Sequence, residues 1–157
     1  MIFWEKIKAF ERSFYNLEGD PSTDAARFFS KKVFEKCGGY DTNITGPEDW
    51  DLRDTLLKLG YKIVRVNASI YHHERINSLF NLLKKKFYYG LKSHRYLSKH
   101  KVALIGAETV YFLRPVFYKN IDRLISNPSL SIWMVIVLFL ELLAGGLGYL
   151  LGKIRKL

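Results

Sequence analysis

Apolar residues at Phe3, Trp4, Ile7, Phe10, Phe14 and Leu17 recur at spacings of three and four, and predict an amphipathic helix at the start of the chain. It runs into "NLEGDPSTD", a cluster of breakers and turn formers that ends it. Residues 25–30, "AARFFS", fit a short strand. The next stretch, "SKKVFEKCGG", predicts a short helix with Ser30 as N-cap and Gly38 and Gly39 as terminators. "YDTNITG" reads as loop, and Pro47 to Leu59 as a helix closed by Gly60. In "TGPEDWDL", Thr45 to Glu48 has capping-box spacing with proline in the first turn, and the carboxylates meet unpaired N–H groups at the positive end of the macrodipole. "YKIVRVNASIYHH" places Ile63, Val64, Val66 and Ile70 in a β-rich run and is the best strand candidate. Glu48 and Asp49 at the mouth of one element, and His72 and His73 at the end of the next, are two polar clusters that can form one site.

Farther along the pattern changes. "LLKKKFYYGLKSHRYLSKHK" at 82–101 interleaves cations with Phe87, Tyr88, Tyr89 and Tyr96, the mixture of an interfacial helix that offers Lys84, Lys85, Lys86 and Arg95 to lipid headgroups. Residues 102–118 are too short and too interrupted by Glu108, Arg114 and Pro115 for a span, and read as interfacial or packed on an anchor. From Leu130 to Leu151 the chain is apolar for 22 residues with Glu141 as its only charge, which predicts a transmembrane or membrane-embedded helix. An ionisable group at mid-membrane needs a partner, and Gly145, Gly146 and Gly148 permit close packing or a break, so a re-entrant or in-plane helix and pairing with another chain stay open. Residues 152–157 form a basic tail.

Charge sharpens this division. Of the net +10, residues 1–70 contribute nothing, with 11 Lys or Arg against 11 Asp or Glu, while residues 71–157 hold 14 against 4. Such a basic half meets nucleic acid or an anionic membrane, and the neighbouring apolar segment favours membrane lipids over nucleic acid. The positive-inside rule puts residues 1–129 on the cytoplasmic side. The opening "MIFWEKIKAF" is charged and amphipathic, unlike a signal peptide. Cys37 is the single cysteine, which excludes an intramolecular disulfide and reads as a packed thiol.

The run "ARFFSKKVFEKCGGYDTNITGPEDWDLRDTLLKLGYKI" resembles the second, acceptor-side half of the catalytic domain of inverting family 2 glycosyltransferases of the GT-A fold. The likeness continues into "IYHHE", "LLKKKFYYGLKS", "LRP" and "LELLAGGLGYL", as in membrane-associated members of that family. It implies an α/β fold, a partial GT-A-like acceptor half over residues 1–78, followed by a mainly α membrane-associated region with interfacial helices over 79–129. It implies Asp49 as general base on the acceptor hydroxyl, with Glu48 positioning the acceptor or the active-site loop. Such a base must lie within hydrogen-bond reach of the attacking hydroxyl. Gly38 and Gly39 would shape the turn under the acceptor. Trp50 would serve as acceptor platform or core, and Arg27 as a phosphate contact or a surface residue. His72 or His73 would meet the metal or the diphosphate, or be an ordinary strand-end pair.

In that family an N-terminal half ending in an Asp-x-Asp motif holds the nucleotide-sugar through Mg²⁺ or Mn²⁺. No such motif precedes the acceptor side here, so a divalent metal is expected only in the complete enzyme, with the donor-binding half lost or separately encoded. The expected function is transfer of a sugar from a nucleotide-sugar to a hydroxyl of a glycan or lipid-linked acceptor, with inversion. A non-catalytic membrane-tethered adaptor is the alternative, and an RNA-binding basic module the weaker third.

Overall fold

The N-terminal apolar stripe forms the expected helix, α1, over Phe3–Glu18. In this computed structural model, which describes residues 3–18, 28–66, 68 and 76–155, α2 spans Lys31–Lys36, α3 Glu48–Lys58 and α4 Leu79–His100. A 3-10 turn at Tyr111–Leu113 leads to α5 at Pro115–Lys119, α6 at Ile121–Ser126 and α7 at Pro128–Arg155. Among the described residues there is no strand, so the α/β expectation gives way to a mainly α fold. The reason is pairing. Residues 61–66 are irregular, and Val64 and Val66 stand 77% and 65% exposed. A β-rich run becomes a strand only when a neighbour satisfies its N–H and C=O groups and covers one face. Phe28, Phe29 and Ser30 are irregular too, while residues 25–27 and Ile70 lie outside the described residues.

The helical expectations fare better. Ser30 caps α2, its side chain accepting from Val33 N at 3.2 Å. Gly60, at φ +82°, ends α3 in the left-handed region that glycine enters without strain. The capping box does not form. α3 begins at Glu48 with Pro47 at the N-cap position, and proline has no side-chain acceptor to offer. Glu48 is therefore the first helical residue, where a box requires the third.

Ile7 and Phe14 of α1, Leu82 of α4, Val116 and Phe117 of α5, and Met134, Val137 and Leu138 of α7 close around Ile76 to form the main core. Phe14 meets Phe10 and Phe117 edge-on at 5.2 and 5.4 Å, geometry worth about 0.5–1.5 kcal/mol per pair beyond burial alone. Arg114 fastens the 3-10 turn to α1: its Nη1 donates to Tyr15 Oη at 2.8 Å and its guanidinium lies 4.7 Å from the Tyr111 ring centre.

Among the described residues the most extensive packing of one element on another joins α4 to α7. Lys86 abuts Gly145, Phe87 abuts Gly148 and Leu91 abuts Gly152, so the two helices run side by side in the same direction. Gly90 of α4 faces Gly145 and Gly148 of α7, and the absence of side chains lets the two backbones touch. Glu141, at the midpoint of α7 and 1% exposed, finds its partners here. Lys8 Nζ lies 3.0 Å from its Oε1 and Lys86 Nζ 3.6 Å from its Oε2. Lys8 also pairs with Glu11, so two carboxylates and two ammoniums share one cluster, buried except at Lys86, whose side chain is partly exposed. Burial opposes the Lys86 charge, yet Tyr111, Glu141 and Glu11 outweigh it and hold its pKa above the ordinary lysine value. Burial likewise opposes ionised Glu11, and Lys8, Lys86 and Arg114 outweigh it and hold that carboxyl low.

α7 is a helix long and apolar enough to cross a membrane, with a mean hydropathy of 2.3 over its best 18-residue window, of which only 22% is buried. Its other face, unlike the one on α4, is open.

Candidate functional site

α3 docks on the C-terminal half of α4 rather than on the main core. Ile44, Leu52, Leu56 and Tyr96 are buried at that junction. Gly46, at φ +102°, brings the preceding loop against α4, where a Cβ would stand 2.8 Å from Tyr89 Cβ. Polar contacts reinforce the packing. Asp51, 2% exposed, accepts from Lys99 Nζ at 2.9 and 3.0 Å and from His100 Nε2 at 2.7 Å. Lys58 Nζ stands 3.0 Å from the other ring nitrogen, Nδ1. An ammonium only donates, so Nδ1 accepts and Nε2–H donates to Asp51. Tyr96 Oη donates to Asp54 Oδ2 at 2.8 Å, and Arg53 Nε and Nη2 donate to Asp54 Oδ1 at 2.8 and 2.7 Å. Burial and the Asp54 carboxylate raise the Tyr96 pKa well above the ordinary phenol value.

Beside this clamp lies a cavity of about 490 Å³ lined by Cys37, Gly38, Gly39, Tyr40, Asp41, Thr42, Asp51, Thr55 and Lys99. Gly38 and Gly39 sit at φ +86° and +70°, a double left-handed turn that swings the chain out of α2 and into the cavity rim. A Cβ on Gly39 would press the Phe34 ring at 3.2 Å. Asp41 Oδ1 accepts from Asn43 N at 3.0 Å, and its Oδ2 from Lys99 Nζ at 3.1 Å. The Asn43 N–H and then the Lys99 ammonium lower the Asp41 pKa. Partial burial works against the Lys99 charge, but Asp51 and Asp41 prevail and raise its pKa. The wall thus presents hydroxyls, backbone and a bridged Asp–Lys–Asp row, a surface suited to a polyhydroxylated molecule.

The structure brings "GGYD" and "EDWD" together, though not through the residues the resemblance singles out. Gly38, Gly39 and Asp51 line the cavity; Glu48 and Asp49, half-buried in the first turn of α3, do not. Two residues along a helix turn a side chain through roughly 200°, so Asp49 and Asp51 leave α3 on different sides. Glu48 Oε2 is buried with no hydrogen-bond partner among the described residues. Trp50 is half-buried against Tyr96, with ring centres 6.1 Å apart, which is a packing role. Lys84 and Lys85 are exposed as expected for a surface set, but Lys86 turns inward to Glu141. Arg95 Nη1 donates to Asn43 O at 3.3 Å, binding the loop to α4. Arg27, His72 and His73 lie outside the described residues. Among the described residues no group of three or more His, Cys, Asp or Glu side chains is placed to hold a metal ion. The divalent-metal site implied by the resemblance is therefore not formed by them.

Asp41, Asp51, Lys99 and His100 are the residues that sequence reasoning missed. The faint signal was the acid-rich "EDWDLRD", where four carboxylates against one arginine imply cations arriving from elsewhere. Comparison with protein-family models, with curated proteins and with solved structures returned no match.

Proposed function

We propose that this chain works at a membrane as the acceptor-side portion of a glycosyl-transfer system, moving sugar from a nucleotide-sugar to a glycan or lipid-linked hydroxyl with inversion. The observation that carries the proposal is the convergence of "GGYD" and "EDWD" on one polar cavity: Gly38, Gly39 and Asp41 from the first, Asp51 from the second. A hydroxyl-rich acceptor binds such a wall through its own donors and acceptors. Asp51 is held on both oxygens by Lys99 and His100 and so braces the wall. The resemblance implies Asp49 as the carboxylate that receives the acceptor proton; it does not line this cavity, so an acceptor hydroxyl must extend past the wall to the first turn of α3 to reach it. Among the described residues no metal-holding group accompanies this wall, so no site for the donor nucleotide is assigned to them.

Saturation-transfer NMR with alkyl glycosides as acceptor mimics tests the cavity. Saturation of the sugar-ring protons is expected, and its loss in Thr42→Trp, which fills the cavity from an exposed rim position. Signal confined to the alkyl chain, or unaltered by Thr42→Trp, rejects the assignment. Asp49→Asn should keep glycoside binding while removing transfer from a nucleotide-sugar once a donor-binding half is supplied. Tight UDP-sugar or GDP-sugar binding by this chain alone would contradict an acceptor-side role and show that it holds the donor itself.

A further inference from the structure

We infer that α7 lies in the plane of an anionic membrane surface, its open face seated in the acyl boundary, and does not cross the bilayer. This rests on the membrane part of the preceding reading and not on its glycosyl-transfer part. Ile132, Val135, Phe139, Leu143, Leu147 and Leu150 are all 47–62% exposed and recur at spacings of three and four. They form one charge-free stripe along α7, opposite the face that packs on α4 and α1. An amphipathic helix with such a stripe has two seats available: across the bilayer, or along its surface.

The neighbours of α7 decide between them. Glu141 is at the middle of the helix, so a crossing orientation would carry it to the bilayer centre, together with Lys8, Glu11 and Lys86 that pair with it. That cluster is internally neutralised and largely buried, and alone would be tolerable. Lys84 and Lys85 are not so placed. They are exposed on α4 within one turn of Lys86, hence level with Glu141, and a crossing α7 would set both ammoniums in hydrocarbon. The core is about 30 Å thick, so a lysine near its centre is too far from either headgroup layer to snorkel. Lying flat removes the conflict: the stripe enters the apolar boundary while α4 stays at the polar level.

Charge selects the lipid. α4 carries no acidic residue, and Lys153 and Arg155 are exposed at the end of α7. Cations beside an apolar stripe match a surface rich in anionic phospholipid.

The test uses the full chain with Cys37→Ser and single nitroxide-labelled cysteines at Ile132, Leu143 or Leu150. It is bound to vesicles of phosphatidylcholine and phosphatidylglycerol. Electron paramagnetic resonance depth measurement is expected to place all three labels at one shallow depth, about 5–10 Å below the headgroups. Leu143 much deeper than both ends overturns the in-plane seat while leaving membrane attachment standing. Water-exposed labels at all three sites overturn both. Neither outcome bears on glycoside binding at the cavity. Lys84→Gln with Lys85→Gln should weaken vesicle binding by roughly 30-fold; an unchanged affinity, or one indifferent to phosphatidylglycerol, removes the anionic-surface assignment.

Discussion

Replacing Gly148 by alanine should loosen the helix pair that organises the molecule, and replacing Gly146 two residues earlier should not. A Cβ on Gly148 would overlap the Phe87 carbonyl oxygen, with the carbonyl carbon 3.0 Å and Gly90 Cα 3.2 Å away. All three are backbone atoms, which cannot swing aside as a side chain would, so α4 and α7 must part by roughly an ångström. Overpacking of this kind costs about 1–3 kcal/mol, and parting two helices along their longest contact belongs at the upper end. Alanine returns about 1 kcal/mol through helix propensity. The net is a loss of about 2 kcal/mol, or a melting temperature lower by roughly 4–8 °C for a chain of this size. Gly146 has nothing within 4 Å of its would-be Cβ, so Gly146→Ala keeps only the propensity gain and should melt a few degrees higher. Thermal melts followed by circular dichroism, with both variants bound to the same vesicles, read the difference. Gly148→Ala melting at or above Gly146→Ala would mean that α4 does not rest on that face of α7.

Glu141→Gln removes a charge shared by Lys8 and Lys86, and a buried pair broken from one side costs about 3–5 kcal/mol. Denaturant unfolding should show that loss, with part of it recovered when Lys8→Met is added. Asp51→Asn weakens the Lys99 and His100 bonds, each charge-assisted contact being worth about 1.5–3 kcal/mol. Amide exchange should then quicken in α3 while α1 and α7 keep their protection, and uniform quickening would show that the clamp is not local. Acid should destabilise the fold through Glu11. Its carboxyl is held below the ordinary 4.5, so its contribution is full above that value and is lost as pH falls through the lower folded pKa. Melting temperatures measured from neutrality to strong acid should fall below about 4.5, and Glu11→Gln should flatten that part of the curve.

The helices were legible because each carries its own signal. α1 has its three-and-four stripe, α2 its Ser30 cap and closing glycines, α3 its acidic opening and Gly60, and α7 an apolar run that no other element could absorb. Local periodicity and caps act within a dozen residues, where sequence order and spatial order coincide. "YKIVRV" misled for the complementary reason. β-propensity describes fitness for a partly covered, paired surface, and a strand needs a partner that the pattern itself does not supply. The same limit hid the site's strongest bonds. Asp51 meets Lys99 and His100 across nearly fifty residues, and nothing in "EDWD" or "SKHK" names the other. Lys86 fell on the wrong side for a related reason. In "LLKKKF" three lysines look alike, and only the position of Glu141 on a helix packed alongside turns one of them inward.

That inward lysine links the two halves of the functional proposal. α4 is the element both share: its N-terminal half is held to α7 by the Gly seam and the Lys86–Glu141 pair, and its C-terminal half carries Tyr96, Lys99 and His100, which hold α3 and the cavity wall. Two charges at mid-bilayer would cost about 5–7 kcal/mol for Lys84 and Lys85 together, comparable with the whole stability of many domains. A flat α7 incurs none of this and sets the long axis of α4 along the membrane surface, since the two helices run side by side. The cavity then sits near the C-terminal end of a rigid helix at headgroup level, where a lipid-linked hydroxyl emerges from the bilayer. Under the glycosyl-transfer proposal, an acceptor dissolved in bulk water would gain nothing from that placement, whereas a lipid-linked one would. The comparison that decides it is glycoside binding on vesicles: alkyl glycosides anchored in the bilayer should saturate the cavity at lower concentration than the same sugars free in solution. Equal affinities would detach the cavity from the membrane and leave α7 as an anchor alone.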